Sequence, residues 1–499
     1  MWYACADDRD SWWQDYSVSF RTTEDEIIQQ LAQAEKVDFA EKGVTLLVQM
    51  DRHPFTSSPI GILRGDLCIP SDNTSGGDWA DTRRGQVLHD SSLEFWSTVL
   101  RPVNEAHSEL NTGDPQTLVD FVKWAKAAAP AKHYMLIISG HNAGWYKLVP
   151  DATSQDALYA RELRDALSAV TAELGRPLDI LYVGACASGS IELLSEVVGQ
   201  VVYYIGTQTI HESSEFWGDW LTHLSEQPEM EPINVALDIV EAAAQTEKDV
   251  RFLVDVSRIT ETDLFGELRR FVTAAVDDIR TGSREVASLY IPSTTDYGAK
   301  YNLGNYDLYH YMESIMAVRP SGSVYSTAQS IRDAVEPRAD GLVKRVRYGT
   351  LAPQASKGLT VNLRAAYLPS DCKGGYDYYS FLASRGTTLD QFNPSTFDTS
   401  TNWSEFQRAL ACALGCPAAC GGTDPGPDPV DQGNHEAPDA EDEPPAAPVD
   451  QGNHEAPDAQ DEPPATPAAP MCGMGPTGPM LFSIVVLMIS RVRRTHGCA

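Results

Sequence analysis

The chain has 499 residues, of which 70 are acidic and 38 are basic, so its formal net charge is −32 at pH 7. A hydrophobic content of 42% is sufficient for one large folded core or two smaller ones. The negative charge argues against nucleic-acid backbones and anionic membrane surfaces as binding partners, because both repel an acidic protein.

The first 43 residues do not show the pattern of an export signal. The segment MWYACADDRDSWWQDY carries acidic residues and tryptophan where a signal peptide has a basic start and an apolar centre. We therefore interpret residues 1–43 as an N-terminal region with a truncated start, and we place the beginning of the folded domain at residue 44.

Residues 44–410 alternate between strand-like and helical patterns. A helix is predicted in NTGDPQTLVDFVKWAKAA, where Asp114 is a suitable N-cap and Pro115 suits the first helical position. Strands buried on both faces are predicted from four near-continuous apolar runs: GVTLLVQM, HYMLIISGH, LDILYVGAC and QVVYYIGTQ. This order predicts an α/β fold with a mostly parallel sheet and helices on both faces.

Reactive side chains follow two of these strands. His141 comes directly after the second apolar run and Cys186 directly after the third, each among small residues that permit a sharp turn. Ligands of parallel sheets bind at the carboxyl ends of the strands, so we expect both side chains at that edge. A histidine beside a cysteine can take the thiol proton, and the thiolate can attack a carbonyl carbon. The sequence therefore predicts a Cys/His dyad.

The residues after Cys186 predict a helix that begins close to the thiol. Ile191 and Leu194 recur at helical spacing, whereas Glu192 and Glu196 fall on another face. We expect the N–H groups and the positive dipole end of this helix to favour the thiolate form.

These motifs resemble those of the clostripain-like cysteine peptidases, a family in the clan of caspases, legumains and gingipains. That family carries His-Gly-x-Gly-Trp after one strand and Asp-Ala-Cys after the next, and here the corresponding segments are HNAGW at 141–145 and GAC at 184–186. The later segments VDVSRI, NYDLYHYMESI, KGLTVNL and TNWSEFQRAL follow in the family's order. The resemblance implies a caspase-hemoglobinase-like fold over roughly 44–410 and a cysteine endopeptidase that forms a thioester acyl-enzyme.

The resemblance also implies roles for individual residues. Cys186 would be the nucleophile and His141 the general acid and base, and the backbone N–H groups of Asn142 and Cys186 would form the oxyanion hole. Asn142 departs from the family pattern, which has glycine there. Some relatives need calcium, but the sequence has no D-x-D-x-D-G spacing and requires no cofactor, so calcium is implied by the resemblance only.

A second departure concerns specificity. Gly184 replaces the family's aspartate, a carboxylate that helps to hold a basic P1 side chain, because a buried Arg or Lys needs a paired charge. We therefore expect a P1 preference other than Arg or Lys. A substitute carboxylate could come from Glu212, Glu215 or Asp219 after the fourth strand; alternatively, these acids line a solvated loop.

The cysteines of the last third favour disulfides. Cys412, Cys416 and Cys420 have no fourth ligand at the spacing of a zinc ribbon or finger, and an exported chain forms disulfides readily. The sequence does not determine which of these cysteines are bonded to each other.

Residues 411–471 begin with this Cys-containing turn and continue as an acidic, proline-rich linker. The segment PVDQGNHEAPDAEDEPPA that starts at Pro429 recurs nearly unchanged from Pro448. Such a tract buries too little apolar surface to offset the entropy of ordering, so we predict a disordered, extended spacer.

Residues 472–499 combine three elements in order. A Cys-Gly pair at Cys472 precedes the apolar run 480–489, and arginines follow at 491, 493 and 494. The segment resembles a bacterial sorting signal of the MYXO-CTERM kind, and its length and flanking charge predict a transmembrane anchor. The resemblance implies an exported protein at the bacterial cell surface or outer membrane, held by its C-terminus or released after processing by a sorting enzyme.

Three hypotheses follow. The first is a surface-anchored cysteine endopeptidase that acts on proteins or peptides. The second is a catalytically impaired caspase-fold protein that binds peptides without cleaving them. The third is a stalked adhesion protein, which leaves the paired His141 and Cys186 turns without an explanation.

Overall fold

The computed structural model describes residues 1–7, 23–39, 42–52, 79, 81–90, 100–103, 109–142, 144–209, 211, 217–246, 248–292, 304–364, 380 and 396–420. The predicted linker and the C-terminal segment 472–499 lie outside these ranges, so disorder and anchoring there stay predictions. Within the described ranges, no helix has both the length and the apolar character needed to cross a membrane.

The described strands form one large sheet and two small ones. In chain order they are β1 (Trp2–Ala6), β2 (Leu47–Arg52), β3 (Thr82–Gln86), β4 (Arg101–Pro102), β5 (Met135–Ser139), β6 (Lys147–Asp151), β7 (Asp156–Tyr159), β8 (Leu178–Gly184), β9 (Val201–Thr207), β10 (Val250–Asp255), β11 (Asn305–Asp307), β12 (Val343–Tyr348) and β13 (Thr360–Asn362). The large sheet has nine strands in the order β12-β10-β9-β8-β5-β1-β2-β3-β4. β6 pairs with β7, and β11 pairs with β13.

The helices lie between these strands and after them. They are α1 (Thr23–Glu35), α2 (Pro115–Ala128), α3 (Ala160–Leu174), α4 (Ile191–Glu196), α5 (Trp217–Glu226), α6 (Pro232–Glu241), α7 (Arg258–Glu261), α8 (Leu264–Thr281), α9 (Arg284–Ser288), α10 (Leu308–Val318), α11 (Gly322–Val335), α12 (Thr396–Thr401), α13 (Trp403–Leu414) and α14 (Pro417–Cys420). The predicted helix before the His141 strand is α2, and Asp114 caps it by accepting a hydrogen bond from the N–H of Gln116.

The large sheet is mixed, whereas the sequence predicted a mostly parallel one. β2, β1, β5, β8 and β9 pair in parallel. β3 and β4 extend one edge antiparallel, and β10 and β12 extend the other in the same way. The prediction was wrong for the edges because the four apolar runs on which it rested belong to the parallel centre.

Helices cover both faces of the sheet, as the continuous apolar runs predicted. Leu136 and Ile138 of β5 face a core that includes α2, α3, α8, α10, α11 and α13, while Ile137 faces a second core with α1, α5 and α6. Successive side chains of a strand point to opposite faces, so a strand between two cores must be apolar throughout. Both the strand pattern and the layer arrangement therefore follow from the same constraint.

The N-terminal residues belong to the sheet. β1 pairs with β5 on one side and with β2 on the other, and both Trp2 and Tyr3 are fully buried. The sheet therefore begins before residue 44, where the sequence analysis placed the start of the folded domain. The run WYACA is short and is followed by acidic residues, so its apolar pattern alone did not mark it as a central strand.

The acidic residues of α4 are buried, although the sequence placed them on a separate face. The carboxylate of Glu192 accepts a hydrogen bond from the N–H of Asn362 at 2.8 Å. The carboxylate of Glu196 accepts from the N–H of Thr396 at 2.6 Å and from its hydroxyl at 2.9 Å. These acids therefore hold the C-terminal segments against the sheet domain.

The cysteines near the end of the described chain form disulfides. Cys412 at the end of α13 is bonded to Cys420 of α14. Cys416 is also disulfide-bonded. The prediction of disulfides in place of a zinc site is therefore confirmed for Cys412 and Cys420.

The role of Glu196 predicts a specific loss of stability. Glu196→Ala would remove the acceptor of two hydrogen bonds from the half-buried Thr396, so we expect the free energy of unfolding to fall by about 2 kcal/mol in a urea titration. Glu173→Ala, which removes an exposed carboxylate from Lys126, is the matched control and should change the midpoint little. Equal losses in the two variants would contradict this account.

Candidate active site

The turns that carry His141 and Cys186 lie next to each other. β5 and β8 pair in parallel, with Ser139 opposite Gly184, and the two reactive residues each come two positions later. The side chain of Asn142 crosses between the turns, and its Nδ2 donates a hydrogen bond to the carbonyl of Cys186 at 2.8 Å. The site therefore stands at the carboxyl edge of the parallel strands.

The turn after β5 is shaped by glycine and supported by a hairpin. Gly140 has a φ of 153°, and a Cβ there would approach the carbonyl oxygen of Cys5 to 3.0 Å. The carbonyl of His141 accepts a hydrogen bond from the N–H of Val149 at 2.8 Å, and Asn142 forms a β-bridge with Leu148. The β6–β7 hairpin thus fixes the backbone on which His141 is presented.

The turn after β8 is held by its own small residues. Ala187 has a φ of 49°, which is uncommon for a residue with a side chain, and its N–H donates to the carbonyl of Thr209 at 2.8 Å. The hydroxyl of Ser188 donates to the carbonyl of Val183 and accepts from the N–H of Thr207. The strand end is therefore tied to β8 and β9 at several points.

The sulfur of Cys186 contacts a different group from the one that the sequence predicted. α4 begins only at Ile191, it is six residues long, and its N-cap is Ser190, so the helix does not begin at the thiol. The expected effect of its dipole on Cys186 is therefore wrong. Instead, the backbone N–H of His211 donates to Sγ at 3.2 Å, a contact that favours a negatively charged sulfur.

Cys186 is oxidised in this structure. Cys186 is 4% exposed, and its sulfur is disulfide-bonded. A thiolate is the nucleophilic form of cysteine, so reduction must precede any attack by this sulfur.

His211 connects the sulfur to a buried group of charges. Its side chain is 5% exposed, and Nδ1 lies 3.3 Å from the carboxylate of Asp249. Asp249 accepts a hydrogen bond from Arg251 at 2.6 Å, and the Arg251 guanidinium lies 5.5 Å from the centre of the Tyr182 ring. The hydroxyl of Tyr182 lies 3.4 Å from Nε2 of His211.

The charges of this group compensate one another. Burial by itself would raise the pKa of Asp249, but Arg251 and His211 outweigh it and lower the pKa to about 2. Burial opposes the charge on Arg251 as well, yet Tyr182 and Asp249 raise its pKa above the ordinary value. Asp249 and Arg251 therefore form a buried pair that remains ionised at neutral pH.

His211 was not among the site residues predicted from the sequence. The signal was present, because His211 follows the fourth apolar run just as His141 follows the second and Cys186 the third. Its partners Asp249 and Arg251 lie at the start of β10, about 40 residues further along the chain, so no local pattern connects them.

The carboxylates proposed for the specificity pocket are placed only in part. Asp219 lies exposed in the first turn of α5, where it accepts a hydrogen bond from Gln245 at 3.0 Å. Glu212 and Glu215 lie outside the described residues. The position that a Cβ of Gly184 would occupy is instead 3.4 Å from both Nε2 of His211 and Oγ of Ser139.

An acidic cluster at the ends of β1, β2 and β6 is the group of described residues most suited to a cation. Asp7, Asp51, Glu109 and Asp151 each offer an oxygen, and these oxygens lie within 4.8 Å of one another. Both carboxylate oxygens of Glu109 are shielded from solvent and accept no hydrogen bond. Calcium takes oxygen ligands and binds carboxylates through one or both oxygens, so the type of these donors suits it.

The pKa values within the cluster reflect mutual repulsion. Burial raises the pKa of Asp51 well above its ordinary value, and Glu109 adds to that rise. Burial, Asp7 and Asp151 raise the pKa of Glu109 to about 7. A bound cation would remove this repulsion by compensating the charges.

Comparison of this sequence with known protein families and solved structures identifies the family to which the chain belongs. The model of the clostripain family of C11 peptidases matches residues 47–409. A secreted C11 cysteine protease from Bacteroides thetaiotaomicron, solved with an irreversible peptide inhibitor, is 12% identical, with a TM-score of 0.47 over 81% of this chain and 98% of that chain. An inactive zymogen C11 protease from Parabacteroides distasonis is 12% identical, with a TM-score of 0.44 over 72% of this chain and 89% of that chain. No curated protein matches.

The matched residues include both turns of the site and nearly all of the described fold. The family match confirms the resemblance that the motifs around His141 and Cys186 carried. The chain therefore belongs to the clostripain family of cysteine peptidases.

Proposed function

We propose that this protein is a cysteine endopeptidase in which Cys186 attacks the peptide carbonyl and His141 transfers the proton. The observation that carries the proposal is the parallel pairing of β5 with β8, which brings the two turns together at one edge of the sheet. The hydrogen bond from Asn142 to the carbonyl of Cys186 supports the same arrangement.

The proposed reaction has two steps. His141 takes the proton of the reduced Cys186 thiol, the sulfur attacks the carbonyl carbon, and the imidazolium protonates the leaving amine as the C–N bond breaks. Water, deprotonated by His141, then attacks the thioester, and the carboxylic acid leaves while the thiol is restored. The backbone N–H groups of Asn142 and Cys186 would stabilise the oxyanion in both steps.

Asn142 is compatible with this role although the family has glycine there. Its side chain is 1% exposed and is bonded to the carbonyl of Cys186, so it braces the second turn and does not project toward solvent. The substitution therefore adds a bond between the two turns.

The cellular location that we propose for the protein rests only on the sequence of its C-terminal segment. In this proposal the segment 472–499 is recognised by a sorting enzyme and holds the exported peptidase at the cell surface or outer membrane until it is processed. The acidic linker would keep the catalytic domain away from the membrane, because like charges extend the chain and anionic lipids repel it.

Calcium, which the family resemblance implies, would fit the acidic cluster. Asp7, Asp51, Glu109 and Asp151 would be its ligands, and its charge would stabilise β1, β2 and the β6–β7 hairpin relative to one another. Since this hairpin supports the His141 turn, the cation would act on the site through the backbone.

The dyad proposal predicts loss of peptide hydrolysis in two variants. Cys186→Ala and His141→Ala should each lower kcat/KM by at least about 1,000-fold in the presence of a thiol reductant, because the first removes the nucleophile and the second removes its base. His133→Ala, which removes a surface imidazole bonded to Asp179, is the matched control and should retain activity. Without reductant, the parent protein should be inactive.

Alkylation separates this proposal from the peptide-binding alternative. After reduction, iodoacetamide should label Cys186 selectively, and His141→Ala should slow the labelling, as mass spectrometry would show. Slow labelling of Cys186 that does not depend on His141 would contradict a peptidase and favour a protein that only binds peptides.

The acidic cluster predicts a pH-dependent response to calcium. The folded-state pKa of Glu109, about 7, lies above the ordinary 4.5, so its ionisation destabilises the fold progressively as the pH rises from about 4.5 through 7. Calcium at 100 times its Kd should add about 2.7 kcal/mol. We therefore expect calcium to raise the Tm more at pH 8 than at pH 5.

A single variant tests the assignment of the ligands. Glu109→Gln loses no hydrogen bond, so in EDTA at pH 8 its Tm should equal or exceed that of the parent, while its response to calcium should shrink. Asp120→Asn, at an exposed site beside Lys123, is the control and should respond like the parent. An equal calcium response in both variants would exclude Glu109 from the site.

A further inference from the structure

The space beside Gly184 is bordered by an imidazole, a hydroxyl and, at 3.6 Å, the backbone carbonyl of Ile138. A Cβ on Gly184 would lie 3.4 Å from Nε2 of His211 and 3.4 Å from Oγ of Ser139. The oxygen of Ser139 already accepts a hydrogen bond from the indole of Trp2, so its O–H can donate to a further group. The hydroxyl can therefore donate a hydrogen bond toward this point, and Nε2 can do so when the imidazole is protonated.

This space lies next to the nucleophile. The N–H of His211 donates to Sγ of Cys186, so the backbone of this histidine lies against the sulfur. In the proposed peptidase, the P1 Cα is one bond from the carbon that the sulfur attacks. A P1 side chain that turns toward Gly184 would therefore meet the ring of His211.

The charges behind His211 decide which side chain is accepted. Asp249 and Arg251 neutralise each other, so this pair with a neutral imidazole carries no net charge. A basic P1 side chain would add an uncompensated positive charge at a buried place, which is costly. An acidic P1 side chain would instead pair with the protonated imidazole, and the group would again be neutral.

The orientation of the His211 imidazole also favours an acidic P1 side chain. Nδ1 lies 3.3 Å from the carboxylate of Asp249, and Nε2 is the ring nitrogen that lies nearest to the Cβ position of Gly184. When the ring is protonated, Nε2–H is a charged donor. A charged donor and the hydroxyl of Ser139 are complementary to a carboxylate.

We propose that His211 is a specificity-determining residue that selects an acidic P1 side chain, aspartate or glutamate, with Ser139 as a second donor. The inference rests on the proposed peptidase function. Gly184 is part of this arrangement because a carboxylate at that position would repel the substrate and neutralise the imidazolium.

A peptide library that varies only P1 tests the proposal on the reduced full chain. The parent should cleave after Asp or Glu at least tenfold faster in kcat/KM than after Arg or Lys. His211→Gln should lose at least tenfold of its activity on acidic P1 residues, while labelling of Cys186 by iodoacetamide persists. His133→Ala is the control and should keep the parental profile.

A second variant tests the charge argument from the opposite direction. The Cβ of Gly184→Asp would lie 3.4 Å from Nε2 of His211 and from Oγ of Ser139, which places the new carboxylate beside the imidazole; a Tm measurement on the variant checks that it folds. This variant should lose cleavage after Asp and Glu and gain cleavage after Arg and Lys. Because it leaves His211 in place, the result does not depend on whether His211→Gln folds.

The outcomes distinguish the inference from the function on which it rests. Hydrolysis that needs Cys186 and His141 but prefers Arg or Lys would overturn the role of His211 and leave the peptidase intact. An unchanged P1 profile in both His211→Gln and Gly184→Asp would also overturn the role of His211 without affecting the peptidase function. Failure to cleave any library peptide, together with labelling independent of His141, would overturn both.

Discussion

The parallel pairing of β5 with β8 is the constraint on which the site depends. Two parallel strands in register end at the same edge, so the turns that follow Ser139 and Gly184 are brought side by side. This pairing in turn requires cores on both faces of the sheet, because each strand is apolar on both sides. The hydrophobic effect that closes the sheet therefore also positions the reactive side chains.

Glycine and other small residues convert this alignment into two rigid turns. Gly140 lies against the backbone of Cys5, and Ala187 is held in the left-handed region by a bond to the carbonyl of Thr209. The hydrogen bond from Asn142 then connects one turn to the other. A shift of either turn would break its contacts with neighbouring strands, which is why such a site can remain preorganised.

Two groups of buried charge lie near the carboxyl edge of the parallel strands. The Asp249–Arg251 pair is compensated internally, whereas the pKa values of Asp51 and Glu109 are raised by burial and by neighbouring carboxylates. A compensated pair can stay ionised at neutral pH, but a cluster of like charges is relieved only by protons or by a cation. The two groups lie at the ends of strands on either side of the His141 turn, so the site stands between them.

The sequence by itself determined the α/β class, the helix that begins after Asp114, the family, and the two turns with His141 and Cys186, because periodicity, caps and short motifs are local. Tertiary structure decided what depends on residues far apart in the chain. The central place of β1, the antiparallel edges, the burial of Glu196 and the contact of His211 with Asp249 are of this kind. The late start of α4 was also decided there, since the bonds of Ala187 and Ser188 to β8 and β9 hold the chain in a turn before a helix can begin. Local patterns determine which side chains follow a given strand. Only packing determines which strand pairs with that strand and which charged residues, distant in the chain, contact the polar side chains at its end.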